Sequence, residues 1–155
     1  MLSFFKKKPP AVGTKLEETL RRFLIDVDDD AVQGVLAVAG LLVKVAMEDE
    51  VFAPDEEAFI RGELGNVGSL GAAGIDAIIA SMREHAKTIA EVDSVDYAHW
   101  LRDKRNREFR MAVLGLLVHV AHAHEGVSAG ELDAVGRIAI ELGLTAEDLA
   151  ATLPQ

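Results

Sequence analysis

Leu41-Leu42-Val43-Lys44-Val45-Ala46 returns 75 residues later as Leu116-Leu117-Val118-His119-Val120-Ala121. Each hexamer lies inside a longer apolar run without the strict alternation of a half-buried strand, so both read as helices. The correspondence continues without a gap. Ala37 falls on Ala112, Gly40 on Gly115, Glu50 on Glu125, Ala53 on Ser128 and Glu56 on Glu131. Both copies therefore read as an apolar helix, an acidic turn, and a new helix with a glutamate in its first turn. Self-similarity of this kind sets architecture. Two related units, about residues 31–65 and 106–143, are expected to pack about a pseudo-two-fold axis. Ala37, Gly40 and Lys44 share one helix face, and Ala112, Gly115 and His119 share the matching face. The two apolar helices are accordingly expected to cross closely at Gly40 and Gly115, with Gly115→Leu overpacking the crossing.

Glycine and proline divide the flanking chain, and no segment alternates like a strand. Thr14 with Glu17 spells a capping box for a helix to about Asp26. Asp28-Asp29-Asp30 suits the positive end of the first apolar helix, Ala31 to about Met47. Pro54 fits the first position of the next helix. Further helices are expected over about Ala72–Glu91, after an Asp93 or Ser94 cap, and over Arg105–His124. Ser128 with Glu131 caps the helix that ends at Leu142-Gly143, and Thr145 with Asp148 starts the last one. Tyr97 and Trp100 read as core or rim packing. The fold class is all-α: a helical bundle of about seven helices, forming one domain over 14–155 behind a flexible segment 1–13.

Composition narrows the function. The formal net charge of −10 repels a nucleic-acid backbone and favours cations or basic partners. The absence of cysteine removes disulfides, thiolate metal sites and a cysteine nucleophile. A membrane span needs about 20 mostly apolar residues. Ala31–Met47 is shorter and holds Gln33 and Lys44, and the second apolar run holds His119 and His122. No span is expected. Met1-Leu-Ser-Phe-Phe-Lys-Lys-Lys-Pro-Pro10 places a short apolar stretch ahead of its charges, the reverse of a secretory signal, which implies a cytoplasmic protein. Phe4, Phe5 and Lys6 to Lys8 can make a peripheral membrane-surface or partner contact.

The turns carry a resemblance. Glu48-Asp-Glu-Val-Phe-Ala-Pro-Asp-Glu56 and Ala123-His-Glu-Gly-Val-Ser-Ala-Gly-Glu131 resemble the paired A-D-G-x-V-S-x-x-E turns of the tellurite-resistance TerB family. Similar helical domains are attached to membrane-linked DnaJ-type co-chaperones. Arg137-Ile-Ala-Ile-Glu-Leu-Gly-Leu144 is similar to the family's I-A-x-x-L-G-L close, and the likeness spans about Ala31 to Leu149. His124 stands where the second turn of the family has Asp, Glu50 and Glu125 stand where it has Gly, and Ala53 stands for the first-turn Ser. Glu56 and Glu131 match in both copies. The resemblance implies a non-enzymatic, all-helical domain tied to stress response and to metal ions.

Three clusters are candidates for chemistry. Asp49, Glu50 and Glu56 crowd carboxylates around one turn, where they either cap the next helix or offer oxygen ligands to a divalent cation. The spacing is not that of an EF-hand. His119, His122 and His124, with Glu125 and Glu131 following, either lie on a polar face or ligate Zn²⁺ or Ni²⁺. Arg102, Lys104, Arg105 and Arg107 make the concentrated positive stretch of an acidic chain, either a solvated helix start or a dock for an acidic partner. No G-x-S-x-G elbow, Walker motif or dinucleotide fingerprint is present. The reading is therefore a non-enzymatic interaction or sensing module working through its two acidic turns. The alternative is a divalent-metal-binding stress protein. Protein partners are expected, a second copy of the chain among the candidates.

Overall fold

A computed structural model describes residues 14–23, 29–47, 54, 57, 58, 61, 62, 71–91, 94–122 and 129–153. Its helices are α1 (Thr14–Phe23), α2 (Asp29–Ala46), α3 (Ala72–Glu84), α4 (Ala86–Glu91), α5 (Ser94–Lys104), α6 (Arg107–Ala121), α7 (Ala129–Glu141) and α8 (Ala146–Thr152). Residues 54, 57, 58, 61 and 62 are also helical. No strand occurs among the described residues, so the chain is all-helical as expected.

The helix α2 is apolar on nearly every side, and a helix of that kind must be central. It packs against α1, α4, α5, α6 and α7, and Leu36, Leu41, Val43, Val45 and Ala46 are fully buried. Around it the other helices bury one stripe each. In α1 the stripe is Leu16 and Leu20, one turn apart, while Glu18 and Arg22 face solvent. In α5 it is Ser94, Tyr97, Ala98 and Leu101. No described helix is long and apolar enough to cross a membrane.

Caps set several boundaries. Asn106 Oδ1 accepts from the Phe109 N–H at 2.8 Å and starts α6. Gly143, at φ +79°, ends α7 as the spacing around Leu142-Gly143 predicts. The Gly143 N–H donates to Ile140 O at 2.9 Å and the Leu144 N–H to Ala139 O at 2.9 Å, which is a Schellman closure. Thr145 and Asp148 form the predicted capping box of α8, at 3.1 and 2.9 Å.

Other expectations are corrected. The helix expected over Ala72–Glu91 breaks at His85 (φ −108°, ψ 13°), and Met82, Ala86 and Ile89 are buried on either side of the break. The Thr14 side chain of the expected Thr14–Glu17 capping box lies outside the described residues, and the Glu17 carboxylate accepts from Arg21 at 2.9 Å and from Gln33 at 3.2 Å. Of the two residues expected to cap α5, Asp93 lies outside the described residues and Ser94 makes no capping bond among the described contacts. Its hydroxyl donates to Glu141 at 2.7 Å and ties the start of α5 to the end of α7.

The largest correction concerns the repeat. The helices α2 and α6 end on repeat-equivalent residues, Ala46 and Ala121, yet they bury different faces. Ala37 and Gly40 are buried, whereas Ala112 and His119 are exposed. A Cβ on Gly115 would meet nothing within 4 Å among the described residues, so the small-residue face of α6 looks outward and the expected Gly40–Gly115 crossing does not form. Gly40 is instead covered by the Tyr97 ring of α5, whose atoms lie 2.5–2.7 Å from where a Cβ would be.

Asp148 yields a prediction about pH. The Arg107 guanidinium, and next the Thr145 N–H, hold its carboxyl well below the usual carboxylate range. A lowered folded pKa contributes stability above the unfolded value near ~4, and that contribution is lost as pH falls toward the folded value. Asp148→Asn should therefore lower Tm at pH 7, and the deficit should narrow steadily below pH ~4. Tm measured across pH for both proteins checks this. A deficit that stays constant with pH would mean that the side chain acts only as a neutral cap.

Candidate functional site

The helices α1, α2 and α5 leave a groove of about 590 Å³ between them. Its geometry follows from how α1 lies on α2. Gln33 donates to Glu17, and Arg21 pairs with both Glu17 and Asp29, so the two helices run antiparallel. Leu36, Ala37, Val95 and Trp100 supply apolar lining, and Glu17, Arg21, Asp29, Asp96, His99, Asp103 and Lys104 supply polar lining. Four carboxylates thus face two cations, and Arg21 is already shared by Asp29 and Glu17. The groove lining accordingly carries more acidic than basic side chains.

Tyr97 also lines this groove, but its hydroxyl does not serve it. The residue is 1% exposed, and its oxygen has no hydrogen-bond partner among the described residues. Burial first, and the Asp96 charge second, push the phenol up to about 12. Tyr97 is a packing residue seated on Gly40, as its position in the sequence suggests, and Trp100 is half-buried at the rim.

The arginines at the junction of α5 and α6 are engaged by neighbouring parts of the chain. Arg105 reaches Asp30, with Nη1 at 2.9 Å from Oδ2 and Nη2 at 3.1 Å from the backbone oxygen. Its guanidinium lies 4.9 Å from the centroid of Trp100 and 5.6 Å from that of Phe109. Gly34 makes room for it, since a Cβ there would lie 2.6 Å from Nη2. Arg107 grips Asp148 with two bonds, at 3.0 and 2.6 Å. Arg110 donates to Leu142 O at 2.7 Å, at the end of α7. Arg102 is exposed and bonded to its neighbour Asp103 at 3.3 Å, and Lys104 is exposed at the groove edge. Of the four residues read from sequence as a docking patch, Arg105 and Arg107 join helices to one another.

The histidines are placed in part. The Nδ1 atoms of His119 and His122 lie 3.1 and 2.9 Å from the carbonyls of Gly115 and Val118, one turn back on their own helix. If each Nδ1 carries the proton, Nε2 is left as the acceptor. Both residues are exposed. His124, Glu125, Asp49, Glu50 and Glu56 lie outside the described residues, and of Glu131 only the helical backbone is described. Among the described residues no three His, Asp or Glu side chains converge as a metal site. Glu57, at the end of the first acidic turn, is held by Arg83 and Arg61.

The all-helical order agrees with one comparison. Residues 35–153 match the family model described as tellurite resistance protein TerB. This chain belongs to the TerB family. No curated protein and no solved structure matches it. The TerB match begins inside α2, so α1, Asp29 and Gln33 precede it. One wall of the groove in this TerB chain is therefore built from residues ahead of the matched stretch. Sequence reading missed the groove because its residues run from position 17 to position 104 and form no motif. The only sequence signal for it is the polar flank of two amphipathic helices.

Proposed function

We propose that this TerB domain is a non-enzymatic interaction module, cytoplasmic and associated with stress response, that presents acidic surfaces to basic partners. The disposition of its arginines carries the reading. Arg21, Arg61, Arg83, Arg105 and Arg107 are each paired with carboxylates of the same chain. With its cations engaged in this way, a chain of net charge −10 has surplus carboxylate to offer. The sequence concentrates that surplus in the turns Asp49–Glu57 and His124–Glu131, which we take as the working surface.

One observation favours a second reading, a divalent-cation site. A ligating histidine commonly donates its other ring N–H to a backbone carbonyl, and His119 and His122 both have Nδ1 against one. His124, Glu125 and Glu131 would supply the further donors. Thermal unfolding with EDTA and then with Ca²⁺, Mg²⁺, Mn²⁺, Zn²⁺ and Ni²⁺ separates the two readings. A cation at 100 times its Kd adds about 2.7 kcal/mol, a shift of several degrees at this chain length. No shift with any ion is expected for the docking module. A shift abolished by His119→Ala/His122→Ala, or by Asp49→Ala/Glu56→Ala, would select the metal reading and locate its ligands.

A further inference from the structure

We propose that the groove between α1, α2 and α5 is the seat of this chain's own N-terminal segment, with Phe4 and Phe5 on its apolar lining and Lys6 to Lys8 against its carboxylates. Three observations point there. First, the chemistry is complementary. The groove sets Asp96, Asp103 and the carboxylates of Glu17 and Asp29, which share Arg21, around the part-exposed Val95 and Trp100. The segment Phe4-Phe5-Lys6-Lys7-Lys8 offers two aromatic rings followed by three cations. Aromatic rings pair favourably with a tryptophan, and lysines with clustered carboxylates.

Second, the connection is short and starts at the right end. Residues 1–13 lead directly into α1, whose Glu17 and Arg21 form one wall of the groove. Because α1 runs antiparallel to α2, its start at Thr14 lies toward the Leu36–Ala37 end, which is also the Tyr97–Asp96 end of α5. Lys8 is six residues from Thr14, a reach of up to about 20 Å. Third, the tether removes the need for high affinity. A short linker gives a docked segment an effective concentration of about millimolar, so a shallow and partly charged groove suffices.

The lining of the groove shares no residue with the acidic turns, and its test does not depend on them. Trp100 is the single tryptophan of the chain and lies in the groove, so its fluorescence reports occupancy directly. Acrylamide quenching is measured on the full-length wild type, on Phe4→Ser/Phe5→Ser, on Lys6→Glu/Lys7→Glu/Lys8→Glu, and on Asp96→Lys/Asp103→Lys. The last pair is exposed on α5, and its variant leaves the segment itself intact. All three variants should show a red-shifted emission and stronger quenching than wild type, with unchanged helical circular dichroism. Quenching equal in all four proteins would overturn the proposal. So would shielding that disappears on dilution, which would assign the groove to the segment of a second copy. Shielding that arises only on adding phosphatidylglycerol vesicles would overturn it too, since the segment would then belong to a lipid surface.

Discussion

Gly40→Ala should destabilise the protein, and Gly115→Ala, the same change at the repeat-equivalent position, should not. At Gly40 a methyl group would lie 2.5–2.7 Å from three atoms of the Tyr97 ring, closer than carbon atoms approach. The ring cannot swing clear, because Tyr97 is 1% exposed and packed inside the core. Overpacking of this kind costs about 1–3 kcal/mol, more than the ~1 kcal/mol that alanine gains over glycine within a helix. Gly40→Val should cost more still, since its γ carbons meet the same ring. At Gly115 a methyl group meets nothing within 4 Å among the described residues, so the helix preference should dominate and stability should rise by up to ~1 kcal/mol. Chemical denaturation of both variants measures the contrast. Adding Tyr97→Leu to Gly40→Ala should show a coupling of about 0.5–3 kcal/mol, because the two side chains share one contact. Two strictly additive losses would mean that Tyr97 does not cover Gly40.

The second large effect belongs to α1. Leu20→Ala should cost about 2–5 kcal/mol, the range for truncating a fully buried leucine. Leu20 is 0% exposed and Leu16 1%, and their helix packs on α2 and α3. A domain of this size has about 5–15 kcal/mol of stability in total, so the loss would be a large part of it. The change also tests whether the helix ahead of the TerB match is integral to the fold. Arg22→Ala, on the exposed face of the same helix, serves as the control and should stay within about 0.5 kcal/mol. A loss equally small for Leu20→Ala would show that α1 adds nothing to the core.

The residues that carry these effects separate what is local in this chain from what is not. The sequence by itself determined the helical class, the capping box at Thr145–Asp148, the glycine stop at Gly143 and the central place of α2. A cap is a bond between residues three apart, and a helix apolar on all sides has nowhere to go but the core. The same local evidence carried the TerB resemblance, since the turn motifs are short and contiguous. Tertiary structure alone decided what each surface meets. Gly40 and Gly115 occupy equivalent places in the repeat, yet one lies under Tyr97 and the other faces outward. Arg105 and Arg107 look alike in sequence, but their partners are Asp30, 75 residues away, and Asp148, 41 residues away. The groove likewise exists only because α1 and α5, separated in the chain, lie along the same helix. Periodicity gives the face that a helix buries. Which neighbour covers that face depends on how the volumes and charges of distant segments fit together, and that information is spread over the whole chain.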